Sequence, residues 1–97
     1  MNLTELKNRR AEILAIAADN GVSDIRVFGS VARGGEKKGS DVDLLVHFNP
    51  GAGWGYFGFR PEMEDLLGCK VDVVSDDAIN PYIRENILKE AIPLFDV

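Results

Sequence analysis

Residues 27–46 read VFGSVARGGEKKGSDVDLLV, and the two ends of this stretch are strands of different character. The later end, carried on to Phe48, has the clearest strand pattern in the chain. Side chains alternate faces along a strand. Val42, Leu44, Val46 and Phe48 therefore share one face, and Asp41, Asp43, Leu45 and His47 share the other. The apolar face demands a covering layer of helix. The second face opens with two carboxylates at one end, a costly place for charge unless something pairs with it. The earlier end reads as a short strand over residues 25–28. It stops at Gly29-Ser30, and Val31 to Arg33 reads as the first turn of a short helix. Gly34, Gly35 and Gly39, with Glu36, Lys37 and Lys38 between them, form a polar loop joining the two.

Towards the N-terminus, Leu3, Leu6, Ile13, Leu14, Ile16 and Ala17 repeat at helical spacing. The spacing predicts one leading helix, with Thr4 as candidate cap and Asn20-Gly21 as stop. On the other side, residues 49–60, NPGAGWGYFGFR, hold four of the ten glycines together with Trp54, Tyr56, Phe57 and Phe59. Two readings stand for this stretch: a Gly-rich lid or partner surface, or a loop whose aromatics close the core edge. Pro61 suits the first turn of a helix that stops at Gly68. Lys70 to Ser75 reads as a strand with Val71 and Val73 on one face and Asp72 on the other. Asn80-Pro81 is a cap followed by a first-turn proline, opening a helix to about Ala91 that Pro93 ends. Residues 94–97 are a candidate last strand. The resulting order, α-β-α-β-α-β-α with an optional strand, predicts a small α/β (α+β) domain. Its mixed sheet has three or four strands covered by helices.

Composition bounds the function. Ninety-seven residues make one domain, 1–97, with room for a single core. Hydrophobic residues at 45% and charged ones at 28% argue against a disordered chain. Sixteen acids against eleven Lys and Arg give a net charge of −5, so direct nucleic-acid binding is not expected, since phosphate contacts want a basic face. No apolar run approaches the roughly 20 residues of a membrane span. The charges of MNLTELKNRRAEIL lie within an amphipathic pattern rather than ahead of an apolar core, unlike a signal peptide. A lone cysteine, Cys69, forms no internal disulfide. These features lead to the expectation of a cytoplasmic protein with no membrane association.

The carboxylates carry the chemistry. Asp41 and Asp43 point the same way, about 6.5–7 Å apart along one strand. Asp72 lies mid-strand on a candidate neighbour. Gly29-Ser30 forms a strand-to-helix turn twelve residues before Asp41. A glycine there lets backbone approach a ligand closely, and a helix start offers free N–H groups to phosphate. An anion cradle beside a carboxylate cluster is what a Mg²⁺–nucleotide needs, because Mg²⁺ keeps waters and phosphate oxygens among its ligands. A third carboxylate would complete a second metal site or take a proton from an incoming hydroxyl.

The spacing fits G-S-x10-D-x-D, with Gly29, Ser30, Asp41 and Asp43 in place. Four fixed residues at about 6% frequency each match by chance in roughly one such chain in a thousand, which makes the pattern specific. On these residues, on the G-S-x-A-R-G string ending in Arg33-Gly34, on KVDVVS and on INPYIRENILKEAIPLF, the sequence resembles the minimal nucleotidyltransferases of the polymerase β superfamily. These small proteins are often encoded beside a HEPN partner. The resemblance implies a polymerase β-type nucleotidyltransferase fold and a role for each residue. Gly29 and Ser30 would hold the β- and γ-phosphates of a nucleoside triphosphate, with Arg33 touching phosphate or orienting the loop. Asp41 and Asp43 would ligate the metal, two Mg²⁺ ions, and Asp72 would be the third carboxylate, facing the acceptor. AMP would pass from ATP to a protein hydroxyl, and the acceptor would be a HEPN-type toxin RNase. The chain would then be the antitoxin of a toxin–antitoxin pair, able to form an oligomer with its partner. Larger relatives carry a second domain that grips nucleotide and acceptor. None is visible in these residues, so loops, a second subunit or a partner would choose base and acceptor.

Two alternatives belong to other classes. One is a binding module that silences its partner by occlusion, with the motif idle. The other is a transferase acting on a small-molecule or nucleic-acid hydroxyl. Three carboxylates facing one another favour catalysis, because an idle site has no reason to hold such repulsion. His47 shares the Asp43 face but lies roughly 13 Å along the strand, and reads as a partly buried structural histidine. Cys69 reads as packing, and Lys37 and Lys38 as a solvated loop.

Overall fold

The computed structural model describes residues 2–32 and 42–95, apart from the side chains of Ser30 and Tyr56. Arg33, the loop 34–40 with Lys37 and Lys38, and Asp41 lie outside the described residues. The leading helical segment is two helices, α1 (Leu3–Asn8) and α2 (Arg10–Asp19), joined at Arg9, whose N–H donates to Leu6 and Lys7 carbonyls. The cap of α1 is Asn2 rather than Thr4: its side-chain oxygen accepts from the Glu5 N–H at 2.8 Å. Asn20 ends α2 as the sequence predicts. Strand β1 (Val22–Phe28) is longer than its apolar signal, and α3 (Gly29–Ala32) follows directly. Then come β2 (Val42–Phe48), α4 (Gly55–Leu67), β3 (Val71–Ser75), a short 3-10 turn (Asp76–Ala78), α5 (Pro81–Glu90) and β4 (Ile92–Pro93). The last strand lies two residues earlier than residues 94–97, where the sequence suggests one.

The sheet order is β3-β2-β1-β4. The β1–β2 and β1–β4 pairs are antiparallel, whereas β2–β3 is parallel. This mixed four-stranded sheet is the expected fold class. Its two faces differ as the alternation in β2 requires. Val42, Leu44 and Val46 are buried among Leu6, Ile13, Ala17, Phe59, Met63 and Leu67, so α1, α2 and α4 cover that face. On the opposite face Leu45 packs with Ile79 and Ile87, and with Phe28, Val74 and Ala91 around them. Helix α5 covers the middle of this second face and leaves the polar ends of the strands uncovered. Asn80 caps α5 by accepting from the Tyr82 N–H, as predicted from Asn80-Pro81.

The Gly-rich stretch departs most from the expectation. It is helical from Gly55, so Pro61 lies inside α4 rather than opening it. Tertiary contact explains the glycines. A Cβ on Gly55 would fall 1.9 Å from the Asn20 carbonyl oxygen, and one on Gly58 would fall 2.6 Å from Asn20 Oδ1. The missing side chains let α4 cross the end of α2 at backbone contact. Asn20, 8% exposed, fills the crossing by donating to the Ile16 carbonyl and to Glu62. Among the described residues no helix is long and apolar enough to cross a membrane.

Candidate active site

Strand register assembles the site. Asp43 pairs across β2–β1 with Phe28, the residue before Gly29, and across β2–β3 with Asp72. Register partners point to the same face, so the Asp43 and Asp72 carboxylates stand on adjacent strands, about 4.8 Å apart in the pairing direction. Both lie on the face away from the main core and are partly exposed. The sequence placed Asp72 by its alternation alone; the parallel β2–β3 pairing brings it beside Asp43.

Gly29 completes this corner. Its φ is +75°, a region that L side chains rarely adopt. A Cβ built there would meet Asp43 Oδ2 at 2.2 Å and Cγ at 3.2 Å. The carboxylate of Asp43 thus occupies the space a side chain at 29 would take. That contact also sets α3 against β2, where the first-turn N–H groups of α3 have no acceptor within the helix. Hence Gly29, Asp43 and Asp72 converge, with the Ser30 backbone opening α3 beside them. The oxygen-only donor set of Asp43 and Asp72 fits a hard divalent cation such as Mg²⁺. Asp41 and Arg33 complete the pattern only in sequence.

A cation not foreseen from the sequence stands nearby. Arg60 of α4 reaches the edge of β3, with one guanidinium nitrogen 4.0 Å from Asp72 Oδ1 and its Nε 3.9 Å from Glu64. Glu64 in turn accepts from the Val71 N–H at 3.0 Å, closing that end of the strand edge. Both partners of the Arg60–Asp72 pair are about half exposed, so it contributes little to stability. Its interest is positional, as a positive charge beside the carboxylate. No local pattern identifies it, because the position of Arg60 depends on where α4 begins.

His47 lies away from this corner. Its Nδ1 is 3.0 Å from Asp76 Oδ1 and 3.9 Å from Asp77 Oδ2, and the imidazole is raised above its ordinary range, first by the Asp76 hydrogen bond and then by its charge. Cys69 packs against the main core, also as read. Trp54 and Phe57 are 86% and 69% exposed, so they do not close the core edge, whereas Phe59 is fully buried.

The chain and its fold have known relatives. Residues 10–94 match the nucleotidyltransferase domain model. A Methanocaldococcus jannaschii protein, provisionally named a protein adenylyltransferase, is 37% identical over 93 residues, covering 95% of this chain and 97% of its own. A solved structure provisionally named a minimal nucleotidyltransferase superposes with TM-score 0.82 at 44% identity, covering 96% of each chain. A toxin–antitoxin complex solved with AMP-PNP shares the fold at TM-score 0.72 and 19% identity, over 90% of this chain and 73% of that one. The chain belongs to the nucleotidyltransferase domain family, among its minimal members, and is an enzyme of the nucleotidyltransferase class.

Proposed function

We propose that this enzyme transfers AMP from ATP to a protein hydroxyl, and that the acceptor lies on a HEPN-type toxin RNase, which the transfer neutralises. The observation that carries the reading is the contact between Gly29 and the Asp43 carboxylate, with Asp72 in register beside it. Two features of relatives support the finer points: the adenylyltransferase name of the archaeal protein and the AMP-PNP in the toxin–antitoxin complex.

The roles are those that the resemblance implies. The start of α3, with Gly29 and Ser30, holds the β- and γ-phosphates through backbone N–H groups, and Arg33 steadies them. Mg²⁺, two ions held by Asp41, Asp43 and Asp72, would neutralise phosphate charge and align the reacting groups. Asp72 faces the acceptor and takes its proton. The hydroxyl oxygen then bonds to the α-phosphorus, the bond from that phosphorus to the β-phosphate bridging oxygen breaks, and pyrophosphate leaves.

The test is transfer itself. Purified protein, Mg²⁺, α-labelled ATP and the HEPN partner should yield labelled partner, and Asp43→Asn should abolish the label. Absence of transfer to a verified partner from all four nucleoside triphosphates would sink the proposal. The exposed Trp54 and Phe57 favour one rival, neutralisation by occlusion. In that case Asp43→Asn would leave the partner silenced, and Trp54→Ala or Phe57→Ala would release it.

A further inference from the structure

The same sheet face carries a second cluster at the opposite end of β2. His47 stands at the C-terminal end of β2, and Asp76 and Asp77 open the 3-10 turn that follows β3. Because β2 and β3 run parallel, the turn brings both carboxylates to the imidazole. One ligand atom from each of the three lies within 4.8 Å of the others. Asp24, the register partner of His47 on β1, adds negative charge from a third strand and is itself paired with Arg26 at 3.2 Å. Beside the cluster is a cavity of about 170 Å³, lined by Asp24, Arg26, Asp76, Asp77 and Arg84 among others.

We propose that His47, Asp76 and Asp77 form a binding site for a divalent transition-metal ion of the Zn²⁺ class, separate from the catalytic carboxylates. The spacing supports it. Ligands held about 2.0 Å from zinc at tetrahedral angles stand about 3.3 Å apart. His47 Nδ1 lies 3.0 and 3.1 Å from the two Asp76 oxygens, a hydrogen-bonded contact that needs only a small widening for an ion to replace the proton. Asp77 Oδ2 is 3.9 Å from Nδ1 on a side chain 76% exposed, free to close the remaining gap by rotation. Donor chemistry sets the metal. An imidazole with two carboxylates suits Zn²⁺ and its neighbours, whereas Mg²⁺ and Ca²⁺ prefer oxygen alone. The adjacent cavity leaves room for water at the open coordination position. The metal would displace any proton on Nδ1, so binding strengthens as pH rises past the imidazole titration. Other charged groups facing the site are Asp24, Arg26 and Arg84. Bound metal would tie the end of β2 to the turn that leads into α5.

The experiment is a Zn²⁺ titration of the whole chain, following heat and the imidazole NMR signal, which is unambiguous because His47 is the sole histidine. Wild type should take up one saturable equivalent and shift or broaden that signal. Asp43→Asn should retain this equivalent, His47→Gln should lose it, and Asp77→Asn, at an exposed position, should weaken it at least tenfold. Zn²⁺ uptake that is absent in wild type, that disappears in Asp43→Asn, or that is unchanged in both His47→Gln and Asp77→Asn would overturn the proposal. Circular dichroism of each variant separates lost ligands from lost folding.

Discussion

Replacing Gly29 with Ala tests the site at its tightest contact. Two costs can be told apart. The first is conformational: φ of +75° places an L residue in the left-handed region, at about 1–2 kcal/mol. In a domain of this size that lowers Tm by roughly 4–8 °C per kcal/mol. The second is positional. The new Cβ would lie 2.2 Å from Asp43 Oδ2, and ordinary contact begins at 3.4 Å, so the carboxylate must retreat by about 1.2 Å. Displacement of a reacting group by about 1 Å costs on the order of a hundredfold in rate. Gly68→Ala supplies the control: φ there is +68° and nothing lies within 4 Å of the added Cβ. It should lose comparable stability and keep its activity. The assay is nucleotide transfer from labelled ATP, run well below both Tm values, with thermal unfolding in parallel. If Gly29→Ala transfers nucleotide as fast as Gly68→Ala, Asp43 does not work where the Gly29 contact puts it, and the reasoning fails.

Three further outcomes follow from the same structure. Asp72→Asn should retain the fold and nucleotide binding while transfer falls by at least about a hundredfold, the lower end of what general acid–base groups contribute; unchanged kcat would remove Asp72 from the reaction. The His47 imidazole should titrate above 6.5 by NMR, because Asp76 favours its charged form. Its contribution to stability is then present at and below pH 6.5 and fades as pH rises through the higher folded value. Tm plotted against pH should therefore flatten over that window in His47→Gln, and an unaltered slope would contradict the ion pair. Gly55→Ala, which drives a methyl into the Asn20 carbonyl, should destabilise by about 1–3 kcal/mol or more in denaturant unfolding, and Gly58→Ala by less because it meets a side-chain end.

What could be read from the sequence, and what could not, divides along the range of the interactions. Alternation in β2 is local: Val42, Leu44 and Val46 announce one buried face, and the structure buries all three. Caps are local too, which is why Asn80-Pro81 read true, although Asn2 rather than Thr4 takes the first cap. The stretch 55–60 misled because glycine is a poor helix former, about 1 kcal/mol worse than alanine. What places a helix there is contact with Asn20, thirty-five residues away from Gly55, where a larger residue would not fit. Arg60 was invisible for the same reason, since its reach to Asp72 follows from α4 starting six residues earlier than Pro61 suggests. The candidate site lies between these cases. Gly29, Asp43 and Asp72 each carried a local signal, but their meeting depends on two pairings, Phe28 with Asp43 and Asp43 with Asp72. A one-residue slip in either pairing would turn a carboxylate to the other face of the sheet. The apolar alternation of β2 and β3 forbids that slip, because it would expose Val42 and Leu44 or Val71 to water. The core residues of these strands therefore set the geometry of the site, and substitutions that loosen the β2–β3 register should impair transfer before they unfold the chain.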